Sequence, residues 1–156
     1  MPDLDLRLQR LLDENDIRNL TSRYCLYIWT RDIRVVELYS EDGEFGTSGP
    51  GHEAVRATYA RIFDRPANIL GLPYIHNHVI EFDGPDRARG FCALDLRRAT
   101  PEGKAAFSAS YYDDEYVRMD GVWKFRSRQA HNVLSAAIAD TLTSLSSEHL
   151  GLRPVG

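Results

Sequence analysis

The chain has 156 residues, of which 43% are hydrophobic and 27% charged. That balance excludes a disordered chain and suits one domain that buries a core without metals or disulfides. A formal net charge of -4, with arginines scattered rather than clustered, excludes a broad electrostatic footprint for nucleic acid. From Asp16, Ile17, Leu20, Tyr24, Tyr27 and Ile28 follow helical spacing, with Asp13 or Asn15 as the expected N-cap. Leu4, Leu8, Leu11 and Leu12 suggest a shorter helix before it. A second helix is expected at about Ile33 to Tyr39, ending at the turn signal Glu41-Asp42-Gly43. The loop Gly46 to Gly51 then leads into a third helix, with Val55, Tyr59, Ile62 and Phe63 on one face and a stop before Pro66.

After Gly71 the pattern changes to strands: His76 to Phe82, Arg89 to Arg98, Ala105 to Met119 and Val122 to Val133. Asp83-Gly84-Pro85, Pro101-Glu102-Gly103 and Asp120-Gly121 separate them, the last being a strong hairpin signal. Helices first and an antiparallel meander afterwards read as α+β, with helices packed on one face of a curved sheet. The expected organisation is a cone domain over 1–135 and a tail or lid over 136–156. The N-terminal segment carries early acids and no long apolar run, so neither a signal peptide nor a membrane anchor is expected there. Cys25 and Cys92 sit inside apolar patterns without metal-type spacing, as free thiols in a reducing compartment do. A cytoplasmic protein is expected.

Three segments in register resemble the SnoaL-like branch of the nuclear transport factor 2-like superfamily. They are Ile17 to Tyr24 with Asp32 and Glu37 to Phe45, then His76 to Gly84, then Tyr112 to Phe125. The resemblance implies a cone with a largely apolar pocket. It leaves activity open, because the fold hosts dehydratases, isomerases, dehydrohalogenases, cyclases and binding proteins. In the dehydratase and dehydrochlorinase members, an Asp late in the first helix orients a His at the start of the first long strand, and the His removes a proton. The spacing maps those positions onto Trp29 and Pro73, so both members of the dyad are replaced here. Relative to the isomerases of the fold, Tyr24 falls on an oxyanion-hole tyrosine and Asp114 on a protonated oxyanion-hole aspartate. The general-base position falls near Thr47, which cannot serve.

His131 is the substitute base that the pattern offers, because strand alternation groups it with Ser127 and Gln129 on the face expected to line the pocket. Tyr112, Asp114 and Tyr116 share a face of the neighbouring strand, so an Asp114–His131 contact is geometrically conceivable. The plain alternative is a strand histidine hydrogen-bonded near the rim. His76 reaches the pocket only if a bulge re-aims it. His76 and His78, two residues apart, leave one strand face and with His131 or Asp114 make a conceivable zinc set. Such pairs also occur on solvated or dimer-facing strands, and no metal or cofactor is assigned.

Tyr24 is core unless a ligand oxygen or Asp114 partners its hydroxyl. Trp29, Tyr59, Asn77, Tyr112, Tyr116 and Gln129 complete the expected substrate-binding set, with Trp29 favouring a flat apolar ligand. Arg128 pairs across the hairpin or anchors a ligand carboxylate. Two functions fit. One is a cofactor-independent cyclase, isomerase or lyase acting by proton transfer on a small hydrophobic oxygenated ring compound. The other is a non-catalytic binding or assembly module of the same fold. Under either, the expected partner is a small hydrophobic ligand, without nucleic acid or membrane, in a homodimer or alternatively a trimer.

Overall fold

The computed structural model describes residues 2–66 and 70–141. Helix α1 is a single element, Pro2–Thr30, where two helices were expected. No glycine or proline interrupts residues 3–30, and the first half is led by Leu, a strong helix former, with Asp3 and Asp5 in the first turn where acids suit the helix dipole, so the helix has no reason to stop. Asp13 is therefore not a cap. It is buried inside the helix and accepts hydrogen bonds from Gln9 Nε2 (3.1 Å), Arg118 Nη1 (2.9 Å) and Trp123 Nε1 (3.1 Å). C-terminal to it, Ile17, Leu20, Tyr24 and Ile28 form the buried stripe, while Leu4, Leu6, Leu8, Leu11 and Leu12 before it are exposed.

The expected second helix is a 3-10 helix, Ile33–Leu38, capped by the Asp32 carboxylate on the amide of Arg34. Tyr39 then opens strand β1, Tyr39–Phe45, and the Glu41-Asp42-Gly43 signal lies within it rather than at a turn. Gly43 marks a close backbone approach: a Cβ there would stand 2.9 Å from the Phe125 carbonyl oxygen. Helix α2, His52–Phe63, buries Val55 and Tyr59 as its spacing predicts.

Strands β2 (Leu72–Phe82), β3 (Arg87–Ala99), β4 (Lys104–Met119) and β5 (Val122–Thr141) follow. The sheet order is β1-β5-β4-β3-β2, with β2 to β5 an antiparallel meander and β1 parallel to β5 at the edge. Asp120 and Gly121 both take positive φ, as a tight hairpin turn requires. Strand β5 passes the expected boundary at 136 and continues to Thr141. The last helix or lid expected beyond it lies outside the described residues.

The helices cover one face of this curved sheet, which makes the α+β cone expected from the sequence. Val35, Val36, Val55, Cys92, Leu94 and Phe125 are buried between the layers. Two bulges decide which strand residues face that interior. In β2, Ile75 pairs with Leu94 and His78 with Cys92, so His76 and Asn77 together oppose Ala93. In β5, Phe125 pairs with Tyr116 and Ser127 with Glu115, leaving Arg126 as the extra residue. Each bulge shifts the alternation by one residue and exchanges the two faces of the strand beyond it.

Candidate functional site

The bulge at Arg126 turns Arg128 inward, where it is fully buried. Opposite it on β4, inward-facing Asp114 is equally buried and accepts two bonds, from Arg128 Nε at 2.8 Å and from Arg128 Nη2 at 2.7 Å. Burial alone disfavours a charged guanidinium, but the adjacent carboxylate more than reverses this and raises the Arg128 pKa well above its ordinary value. The guanidinium carbon also lies 4.0–4.2 Å from the ring centres of Phe125, Tyr112 and Tyr24. Its third nitrogen, Nη1, has no hydrogen-bond partner among the described residues.

On the other side of Asp114, Tyr116 donates to Oδ2 at 2.7 Å, and His78 Nε2 stands 2.9 Å from the same phenol oxygen. Tyr116 has one proton and gives it to the carboxylate, so His78 donates from Nε2. Burial lowers the His78 pKa from 6.5 to about 4, so the ring is neutral near pH 7. Gly90 makes this junction possible. A Cβ there would lie 2.7 Å from the Tyr116 ring and 3.1 Å from His78 Nε2.

Beside the Arg128 face, a cavity of about 280 Å³ opens between α1, α2 and the sheet. Buried Tyr24, Tyr59 and Tyr112 form its inner end, Ile28, Phe45 and Leu96 its walls, and exposed Arg65 and Arg98 its rim. Tyr24 and Tyr112 share a hydroxyl–hydroxyl bond of 3.3 Å, and Tyr39 and Tyr59 share one of 2.8 Å. Each pair spends one proton on its own bond and keeps one that can be offered elsewhere. Burial raises the pKa of Tyr24 against the opposing pull of Arg128, and raises that of Tyr112 further, so both are neutral donors. A wider groove of about 640 Å³ near the β4–β5 turn meets Tyr116 from the far side. It is lined by charges of both signs, including Glu41, Arg87 and Arg126, and suits an apolar ligand less well.

The structure therefore brings Tyr24, Tyr59 and Tyr112 to one cavity and sets Asp114 and Tyr116 directly behind it. Asp114 does not adopt the expected role of a proton-bearing donor, because both its oxygens accept bonds from Arg128 and one accepts from Tyr116. The conceivable Asp114–His131 contact is not formed, since Asp114 bonds Arg128 and Tyr116 instead. The β5 bulge places Ser127, Gln129 and His131 on the outer face, where exposed His131 stacks on Tyr111 (4.6 Å between ring centres) and Gln129 bonds the Gly46 carbonyl. The β2 bulge exposes His76 and Asn77, and His76 meets Asp95 at 3.2 Å. His76 and His78 consequently do not share a face. No group of three His, Cys, Asp or Glu able to hold a metal occurs among the described residues.

Trp29 and Pro73, the two mapped dyad positions, are neighbours: the indole N–H of Trp29 donates to the Pro73 carbonyl at 2.9 Å. Trp29 packs edge-on against Tyr74 at the margin of the sheet rather than lining the cavity. His78 and Arg128 are the members that sequence pattern places least well. Both lie just beyond a bulge, and the signal available for Arg128 was its position opposite Asp114 across the hairpin.

Among the described residues no helix is long and apolar enough to cross a membrane. No curated protein matches the chain. Among solved structures, LinA is similar at 26% identity and a TM-score of 0.78, over 88% of this chain and 97% of that one. A hexachlorocyclohexane dehydrochlorinase, LinA-type3 from Novosphingobium barchaimii, has 22% identity and a TM-score of 0.75, over 88% and 98%. A nuclear transport factor 2-like protein from Novosphingobium aromaticivorans has 23% identity and a TM-score of 0.68, over 85% and 90%. Residues 9–129 match the SnoaL-like domain. With the cone, its register and that match in agreement, the chain belongs to the SnoaL-like domain family.

Proposed function

We propose that this protein is a cofactor-independent lyase or isomerase, of the cyclase or dehydratase kind, acting by proton transfer on a small hydrophobic oxygenated ring compound. The observation that carries the reading is the Arg128–Asp114 pair buried directly behind Tyr24 and Tyr112 at the closed end of the cavity. A ring carbonyl seated on those hydroxyls meets the one proton the pair keeps free, supported by the second phenol and with a cation behind both. Charge developing on that oxygen as an adjacent C–H bond ionises is stabilised there. Among the described residues no His, Asp or Glu lines the cavity; the carbon-bound proton is taken by solvent base, hydroxide or a buffer anion, entering from the rim. Tyr24 and Tyr112 are the groups in direct contact with substrate, and Asp114 acts through Arg128.

Deuterium exchange next to the carbonyl of cyclic ketones in D2O, followed by NMR, tests this. Exchange above the buffer rate is expected, falling about 100- to 1,000-fold in Tyr24→Phe or Tyr112→Phe. Full exchange in both folded variants would sink the assignment.

The Trp29–Pro73 hydrogen bond favours a second reading, a binding module that kept the cone without turnover. It predicts ring-ketone binding with no exchange. The outer sheet face, where Phe91, Tyr111 and His131 stack, supports a homodimer, with a trimer as the other assembly. Cys25 and Cys92, both free thiols, fit a cytoplasmic protein.

A further inference from the structure

The charges that line the cavity are one-sided. Arg65 and Arg98 are its only charged lining residues among those described, in a chain whose net charge is -4. Neither takes part in an ion pair among the described residues. They come from different elements. Arg65 follows the end of α2, and Arg98 ends the inward series Leu94, Leu96, Arg98 on β3. Both are exposed at the rim, whereas Tyr24 and Tyr112 are buried at the inner end. The cavity is therefore amphipathic along its depth, with neutral hydroxyls inside, apolar walls between and two cations at the mouth that have no ion-pair partner among the described residues.

We infer that the ligand is an anion: a ring compound carrying a carboxylate, which Arg65 and Arg98 hold at the rim while the ring enters toward Tyr24 and Tyr112. Planar guanidinium groups match a carboxylate in shape and charge, and a cationic mouth on an acidic protein draws anions in preference to neutral analogues. The volume of about 280 Å³ limits the ring system to one or two small rings. This rests on the proposed function only in taking the cavity as the ligand site, and it adds the substrate's charge.

Calorimetric titration of the full chain with matched pairs tests it: cyclohexanecarboxylate against cyclohexanecarboxamide, and 4-oxocyclohexanecarboxylate against its methyl ester. At low salt the carboxylates are expected to bind about tenfold more tightly than the neutral partners, with the difference shrinking as salt is raised. The Arg65→Gln/Arg98→Gln double variant is expected to bind acid and neutral partner alike. Both side chains are exposed, so loss of folding is not expected, and circular dichroism checks that. Equal binding of acid and neutral partner, a preference that survives in the double variant, or no carboxylate binding at all overturns the inference. Ketone exchange without carboxylate preference removes the anion subsite and leaves the proposed activity standing. Carboxylate preference without exchange does the reverse.

Discussion

Trp29 and Pro73 are joined by one hydrogen bond, indole N–H to carbonyl oxygen at 2.9 Å, that ties the end of α1 to the start of β2. These are the positions that the dehydratase pattern assigns to an aspartate and a histidine. In this chain the two positions are in contact, and neither side chain is an acid or a base. Introducing Trp29→Asp and Pro73→His together is expected to bring carboxylate and imidazole into contact. NMR titration of the new imidazole should give a pKa at least about one unit higher in the double variant than in Pro73→His alone, because a neighbouring carboxylate favours the charged ring. Equal values would mean that the two positions no longer converge.

The Arg128–Asp114 pair should respond asymmetrically to substitution. Asp114→Asn leaves a fully buried guanidinium without its counter-charge, and a loss of about 3–5 kcal/mol in urea unfolding is expected. Removing both charges, in Asp114→Leu/Arg128→Met, should destabilise less than the single change, because no ion is left stranded. A double variant no more stable than Asp114→Asn would contradict that account.

His78 links stability to pH. Its folded pKa is near 4 against an ordinary 6.5, so the unfolded chain binds the extra proton between those values. The contribution is fully present above about pH 6.5 and is lost progressively as pH falls toward 4. Allowing for the ring's partial exposure, the loss should be about 1–2 kcal/mol. His78→Gln should flatten this part of the profile of melting temperature against pH. An unchanged slope would assign the effect to other groups.

Gly90 is held to its identity by space. A methyl group there meets the Tyr116 ring at 2.7 Å and its hydroxyl at 2.8 Å, and that hydroxyl is fixed between Asp114 and His78. Gly90→Ala is expected to cost about 1–3 kcal/mol and to shift the His78 Nε2 resonance as the bond to Tyr116 lengthens. A stable variant with an unshifted resonance would show that Tyr116 can move aside.

The fold was legible because the pattern changes from helical to strand at Gly71 and the turn clusters after it punctuate the meander. Site orientation was legible only as far as simple alternation holds. On β5, Trp123 and Phe125 mark the inner face, but Arg126 to Asn132 include a single apolar residue, Ala130. Nothing there reports the change of phase that puts Arg128 inside and His131 outside. On β2, Ile75 is inward, yet Val79 and Ile80 supply apolar residues to both faces, so the bulge at His76 and Asn77 leaves no mark. The 3-10 helix and β1 were missed for another reason. Gly43 looks like a turn residue in sequence, whereas here it serves a close approach to the Phe125 backbone.

The same buried pair has a consequence for timing. Arg128 and Asp114 are oriented by bonds made during folding and enclosed by three aromatic rings, so their dipole is set before any ligand enters. Its positive end lies against Tyr24 and Tyr112, and its negative end is held by Tyr116. A ligand oxygen arriving at the tyrosines meets a field that need not reorganise, whereas water would have to turn its own dipoles as charge develops.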